Sequence, residues 1–157
     1  MSKSEKGGAL GEQLGDAAEN YFKQGLCCSE AMLKAAVDVY APEQGDQVVR
    51  FASALCGGMG NNKATCGVFT GGALALSLFT DGAVGKQRDT RIKPASADFQ
   101  ERLAAEVGGH VCEELLSNMG MLNWNKRMCR LLTRHGAEVL AEVIDQYHLS
   151  PDKNPSK

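Results

Sequence analysis

The sequence has no long hydrophobic run, no large excess of charge of either sign, and few aromatic side chains. Its longest apolar stretch, residues 67–79, contains glycine, serine and threonine and is shorter than the roughly 20 residues that cross a bilayer. The formal net charge is −2, with no basic stripe and interleaved aromatics of the kind that binds nucleic acid. The first residues lack the apolar segment of a secretory signal. We therefore expect no membrane insertion, no nucleic-acid partner and a cytoplasmic location.

Several familiar catalytic and metal-binding motifs are also missing. Without C-x-x-C the chain lacks thioredoxin-like and zinc-ribbon sites, and without C-x-x-C-H it lacks a covalent c-type haem site. There is no P-loop, no dinucleotide glycine fingerprint, no H-E-x-x-H and no G-x-S-x-G. Nothing identifies a bound organic molecule with a general acid or base, so the sequence assigns no reaction.

The hydrophobic pattern predicts one all-α domain. Apolar residues recur at intervals of three and four along six segments, and strand alternation is absent. We predict a bundle of about six helices over residues 11–149, with a flexible tail at 1–10 and a polar tail at 150–157. The helices are predicted at residues 11–24, 27–40, 46–55, 66–79, 96–119 and 123–147, with a polar loop at 80–95.

A stretch rich in glycine and cysteine precedes the fourth predicted helix. Residues 53–73 contain two cysteines and six glycines between two apolar segments. Glycine adopts positive φ angles and lets other groups approach the backbone closely. Thr65 is a good N-cap, which predicts Cys66 at the first position of the fourth helix. The positive end of a helix dipole favours the thiolate there, the form that attacks disulfides and binds metals. This helix is apolar nearly all round and is predicted to be central.

The other cysteines are also predicted on helices or at their ends. Six cysteines in a chain without a secretory signal favour metal or redox chemistry, although a free cysteine can also serve as a small buried hydrophobe. Cys28 is predicted near the start of the second helix, Cys112 midway along the fifth, and Cys129 on the sixth. Gly108 and Gly109 lie one turn before Cys112. They would clear space beside its sulfur, for a cofactor or for a closely packed helix.

These residues, in this order and spacing, resemble the redox-active protein family named for its C-GCAxxG-C-C cysteine pattern. The resemblance covers residues 16–147. It is carried by Gly25-x-x-Cys28, the glycines of residues 57–60, Cys66-Gly67-x-x-x-Gly71, Gly108-Gly109-x-x-Cys112 and Cys129. Val68 stands where the family has alanine. Cys27 and Cys56 are extra, which leaves open whether Cys27 or Cys28 is the family thiol and whether Cys56 joins the site.

The resemblance implies a four-cysteine redox site. The family is similar to the non-haem portion of split-Soret cytochromes, in which a cysteine-bound iron–sulfur centre has been inferred. It implies metal ligands at Cys28, Cys66, Cys112 and Cys129, and cofactor-lining glycines at Gly67, Gly71, Gly108 and Gly109. Four thiolates are the standard ligands of a [2Fe–2S] or [4Fe–4S] cluster, and they also bind zinc or copper(I).

Three functions remain open at this point. The first is electron transfer or redox sensing through an iron–sulfur cluster, with an unidentified redox partner protein. The second is a metal-free thiol–disulfide protein in which Cys66 attacks and Cys28 or Cys56 resolves. The third is a zinc-stabilised or simply cysteine-containing helical module that binds a partner. A homo-oligomer is compatible with each of them.

Overall fold

Helical segments make up most of the computed structural model, which describes residues 3–80 and 89–149 of the chain. The prediction of an all-α, single-domain bundle is confirmed. The α-helices are α1 (Lys3–Lys23), α2 (Cys28–Tyr40), the short turn α3 (Cys56–Met59), α4 (Gly67–Leu76), α5 (Ile92–Val107), α6 (Cys112–Met119) and α7 (Arg127–Gln146). Shorter or tighter 3₁₀ segments lie at Pro42–Gln44, Asp46–Leu55, Ser77–Phe79 and Gly120–Lys126.

Helix α4 lies at the centre of the bundle, as its apolar composition predicts. It packs against α2, α5 and α7, while α1 lies along α7. Val68, Phe69 and Leu76 of α4 are fully or almost fully buried, and Phe69 contacts the ring of Phe99 from α5. A Cβ atom on Gly136 would lie 2.3 Å from Val68, so α4 and α7 approach closely at this glycine. The apolar stripes of these helices therefore form one continuous core.

Several predicted helix boundaries were wrong. Helix α1 begins at Lys3 and so extends into residues 3–10, which were expected to form a flexible tail. The third predicted helix forms as a 3₁₀ helix. The fifth is broken into α5 and α6, because Gly108 and Gly109 adopt φ angles of 85° and 143°. The sixth begins only at Arg127, after the 3₁₀ segment that contains Asn123.

Other predictions fall partly or wholly outside the described residues. The polar tail at 150–157 lies there, and so do residues 81–88 of the predicted loop. Within residues 3–80 and 89–149 no β-strand forms, and an isolated antiparallel bridge joins Thr65 to Val111. Over the same residues, no helix combines the length and the apolar character needed to cross a bilayer.

Candidate functional site

The first part of the site along the chain is a tight turn that contains two glycines. Gly57 and Gly58 have nearly the same left-handed backbone, with φ of 57° and 54° and ψ of 49° and 54°. A side chain is strained in that region of φ/ψ space. At Gly58 a Cβ atom would also lie 2.7 Å from both the carbonyl oxygen of Ala64 and Cβ of Cys112. Glycine at residue 58 therefore brings the turn directly onto Cys112.

Backbone hydrogen bonds hold Cys66 and Cys112 beside each other. The N–H of Cys66 donates to the carbonyl of His110 at 2.7 Å, and the N–H of Cys112 donates to the carbonyl of Ala64 at 3.0 Å. Cys112 is the first residue of α6, and Cys66 is the N-cap of α4. Both side chains are buried, with 8% and 7% of their surface exposed. The prediction that Cys112 lies midway along a helix was wrong.

Cys28 meets Cys66 at the neighbouring helix ends. Cys28 is the first residue of α2, and its sulfur is packed against the backbone of Gly67, the first residue of α4. A Cβ atom on Gly67 would lie 2.5 Å from that sulfur. The thiols of Cys28 and Cys66 also interact closely enough to shift each other's pKa in opposite directions. The close approach of α2 and α4 thus brings two thiols together.

The two thiols of this pair differ in their affinity for a proton. The hydrogen bond from Cys66 lowers the pKa of Cys28 to about 6, against the opposing effect of burial, and the backbone N–H groups of Gly57 and Ser29 lower it further. The hydrogen bond to Cys28 raises the pKa of Cys66, and burial raises it again. Ionisation of the pair is therefore favoured at Cys28 over Cys66. The sequence predicted the thiolate at Cys66, whereas the structure favours the thiolate at Cys28, the residue at the first position of its helix.

Cys129 and Cys112 complete a group of four free cysteines. The side-chain amide of Asn123 donates to the Cys129 sulfur at 3.3 Å, and its oxygen accepts from the Cys129 N–H at 3.0 Å. The Cys112 thiol donates to the side-chain oxygen of Asn62 at 3.5 Å. Burial raises the pKa of Cys112 and of Cys129, and the negative charge of Cys28 raises both further. The four free thiols are thus close enough for their charges to interact.

The two remaining cysteines pair with each other. Cys27 and Cys56 form a disulfide with Cα atoms 5.9 Å apart. Cys27 therefore lies with Cys56, whereas Cys28 lies beside the first residue of α4, next to Cys66. Ser29, which is fully buried, has its hydroxyl oxygen 3.3 Å from each disulfide sulfur. The molecule therefore contains a disulfide beside a group of free thiols.

The glycines predicted to line a cofactor have different surroundings. Gly67 contacts Cys28, as described. A Cβ atom on Gly71 would lie 2.6 Å from the carbonyl oxygen of Ser29, so Gly71 serves the crossing of α2 and α4. A Cβ atom on Gly108 would have no neighbour within 4 Å, and one on Gly109 would approach only Glu114, so neither glycine clears space beside Cys112. That space depends instead on Gly58.

Sequence reasoning missed three polar neighbours of the sulfurs. They are Asn62, Asn123 and Ser29, which contact Cys112, Cys129 and the disulfide respectively. The Asn61-Asn62 pair after the glycine turn was the available signal for one of them, since asparagine favours turns and left-handed backbone. Asn123 and Ser29 had no comparable signal.

The spacing of the four free thiols differs from that of a single-metal site. Among the residues that the structure describes, one group of three ligand-type side chains has its ligand atoms within 4.8 Å of one another, and it consists of Cys27, Glu30 and Cys56. A zinc ion about 2.3 Å from each of four tetrahedral sulfurs requires those sulfurs to lie about 3.8 Å apart. The four free cysteines are therefore not arranged as a compact tetrahedral zinc site.

A match to a family model shows which known protein family the chain is related to. The model described as "Putative redox-active protein (C_GCAxxG_C_C)" matches residues 26–143. The chain belongs to this C-GCAxxG-C-C family. The matched range contains all six cysteines, and the family predicted from their order is confirmed. No curated protein and no solved structure matched the chain.

Proposed function

We propose that this C-GCAxxG-C-C protein binds an iron–sulfur cluster through Cys28, Cys66, Cys112 and Cys129, for electron transfer or redox sensing. The observation that supports this most strongly is that separate parts of the chain bring the free thiols together: Cys28 lies against Gly67, the residue after Cys66, and Cys112 packs against Gly58. Cys129 is close enough for the charge of Cys28 to raise its pKa. Four thiolates are the usual ligand set of such clusters, which supply reversible one-electron chemistry when bound.

The spacing and surroundings of the sulfurs fit a cluster better than a single ion. Thiolates that bind a cluster of several irons can lie farther apart than the four ligands of one zinc ion. Backbone N–H groups act on the Cys28 sulfur, and the Asn123 amide donates to the Cys129 sulfur. Hydrogen bonds to ligand sulfur are among the features that set a cluster's reduction potential. These donors would tune the potential, and an external redox partner would exchange the electron.

Purification without oxygen tests this proposal. We expect a coloured protein with iron and acid-labile sulfide in stoichiometric amounts. Cys112→Ser should lose most of the iron, because it removes one ligand of four. The matched control is the double variant Cys27→Ser/Cys56→Ser, which removes two cysteines outside the proposed ligand set and should retain the iron. Protein that contains only zinc, or no metal, would refute the cluster.

A second candidate is supported by the Cys28–Cys66 pair alone. A thiolate at Cys28 could attack a disulfide of a partner protein, so that one partner sulfur leaves and a mixed disulfide forms. The Cys66 thiol would then give up its proton and attack the Cys28 sulfur, releasing the second partner thiol. The partner gains two electrons and the pair becomes a disulfide. A colourless protein that loses two thiols, at Cys28 and Cys66, on mild oxidation would favour this function over the cluster.

A further inference from the structure

The disulfide joins the two chain segments that meet at Cys28. Cys27 immediately precedes Cys28, and Cys56 immediately precedes the turn in which Gly58 packs against Cys112. The bond between Cys27 and Cys56 therefore ties the start of α2, where Cys28 lies, to the turn beside Cys112. The two disulfide cysteines are those that the proposed ligand set does not use.

The groups around the disulfide can accommodate its reduced form. The hydroxyl of Ser29 donates to the carbonyl of Ala52 at 2.9 Å, and its oxygen faces both sulfurs at 3.3 Å. A carboxylate oxygen of Glu30 lies within 4.8 Å of both sulfurs as well. Glu30 is held there by the backbone N–H of Cys27, at 3.1 Å. If the disulfide opens, each new S–H group has an oxygen acceptor beside it.

The disulfide is more accessible than the buried thiols of the site. Cys27 and Cys56 are half-buried, as are Cys28 and Cys129, whereas Cys66 and Cys112 are buried. The disulfide cysteines are therefore partly exposed without separation of the helices that cover Cys66 and Cys112. Access is one of the conditions that set the rate of thiol–disulfide exchange. Cys27 is also the N-cap of α2, where the helix dipole favours a leaving thiolate.

We propose that Cys27 and Cys56 form a second redox centre, a disulfide that external thiols open and close beside the four free cysteines. A thiolate of a dithiol reductant attacks one sulfur, the Cys27–Cys56 bond breaks, and the other sulfur leaves and takes a proton. The second thiol of the reductant, as a thiolate, then attacks the reductant sulfur of the mixed disulfide; its bond to the protein breaks, and the protein sulfur leaves and takes a proton. Two electrons and two protons pass to the protein, and the reductant becomes a disulfide. This reaction does not require a metal at the other four cysteines.

Opening the disulfide changes the neighbourhood of Cys28. The turn Cys56–Met59, in which Gly58 packs against Cys112, loses its covalent connection to the start of α2, where Cys28 lies. The redox state of the second centre therefore alters how firmly this turn is held beside the first. A two-electron thiol signal would in this way reach the four-cysteine site.

Thiol mapping of the full-length protein tests the second centre. The protein is equilibrated with mixtures of reduced and oxidised dithiothreitol, alkylated, and analysed by mass spectrometry at each cysteine. We expect Cys27 and Cys56 to be labelled together in one two-electron transition while the helical circular dichroism is unchanged. The proposal fails if either residue bonds to another cysteine, if both are free after purification in air, or if reduction requires unfolding. Labelling at the other four cysteines reports separately on the proposed cluster, so the two failures are distinguishable.

Amide hydrogen exchange tests the coupling to Cys28. Opening the disulfide should accelerate exchange of the amides in residues 57–60 by about tenfold or more, since local opening of a turn governs their protection. The variant Cys27→Ser/Cys56→Ser should show the same acceleration without reductant. The amide of Leu140, in the middle of α7, is the internal control and should be unchanged. Equal exchange at residues 57–60 in both redox states would overturn the coupling.

Discussion

The face on which α1 lies along α7 and the end that carries the cysteines are built differently. On the first, two long regular helices pack together, and Arg134 pairs with both Asp16 and Glu19. At the cysteine end, residues 57–60 all have positive φ angles and 3₁₀ segments separate short helices. Repeated, interchangeable contacts stabilise the helical face, whereas the cysteine end depends on single residues. Substituting glycine by alanine should therefore have opposite effects in the two regions.

The largest effect is expected at the glycine turn. Gly57→Ala should lower the free energy of unfolding by about 1–2 kcal/mol, the cost of a side chain in left-handed backbone. Gly58→Ala has almost the same backbone angles, but its Cβ would meet Ala64 and Cys112 at 2.7 Å. We expect it to lose about 1–3 kcal/mol more, since overpacking adds to the backbone strain. Urea denaturation of both variants measures the difference.

Gly57→Ala and Gly58→Ala serve as controls for each other. Backbone strain is common to both, so their difference reports the contacts of the turn with Ala64 and Cys112. Equal destabilisation would mean that Gly58 does not pack against these two residues, and the described geometry of the site would be wrong there.

The next prediction concerns ionisation at the cysteine end in metal-free protein. The pKa of Cys28 is lowered to about 6, mainly by the hydrogen bond from Cys66. Cys66→Ala removes that donor, so the pKa of Cys28 should rise towards the ordinary thiol value of about 8.5. The rate of Cys28 alkylation against pH measures this shift, and Cys129→Ala, which removes no donor to Cys28, is the control. An unchanged profile in Cys66→Ala would contradict the described pair.

The same pair gives the stability a defined pH dependence. The pKa of Cys28 is lower in the folded state, so its contribution is present above the unfolded pKa and is lost as pH falls through about 6. The pKa of Cys66 is raised, so its contribution is present below the unfolded pKa and is lost at higher pH. The pair should therefore contribute most to the free energy of unfolding of the metal-free protein when the pH is near the ordinary thiol pKa, about 8.5. Denaturation across this range measures it.

A smaller effect of opposite sign is expected on the helical face. Gly11 lies inside α1, where a Cβ atom would make ordinary contacts with α7, at 3.8 Å from the carbonyl of Glu138 and 3.9 Å from Cβ of Ala141. Gly11→Ala should raise the free energy of unfolding by about 1 kcal/mol, the difference in helix propensity. Gly15→Ala is the matched control, because its Cβ would lie 2.9 Å from the Glu138 side chain. Its free energy of unfolding should therefore rise less than that of Gly11→Ala. A destabilised Gly11→Ala variant would contradict the predicted contrast between the regions.

The same contrast explains which parts of the fold could be predicted from sequence. The apolar composition of α4, nearly all round the helix, predicted its central position, and hydrophobic periodicity predicted the other helices. Hydrophobic periodicity also predicted one continuous helix through Gly108 and Gly109, because the apolar spacing continues on both sides of the break. Val111, the N-cap of α6, is not a typical capping residue and gave no start signal. Regular packing leaves a repeated signal in sequence, whereas a break set by two glycine conformations does not.

The sequence indicated the family to which the cysteine end belongs, but it did not indicate which cysteines pair. The order of the cysteines indicated the family, because order is a property of the chain. The bond between Cys27 and Cys56 depends on how α2 meets the turn after the 3₁₀ helix, and sequence alone does not specify such pairings. The thiolate was expected at Cys66 on the general rule for helix starts. The rule applies instead to Cys28, because α4 starts one residue later than predicted.

The smallest expected effect is the loss of one arginine from the helical face. Arg134→Met keeps an apolar stem but removes the charge that pairs with Asp16 and Glu19, and the side chain is 29% exposed. Because partly exposed ion pairs are screened by water, we expect a loss of about 0.5–1 kcal/mol. Lys23→Met, which removes a more exposed partner of Glu19, should cost less. The difference should shrink as salt is raised, because ions screen surface charges. A larger, salt-independent loss in Arg134→Met would mean that this face also depends on single residues, and the contrast with the cysteine end would not hold.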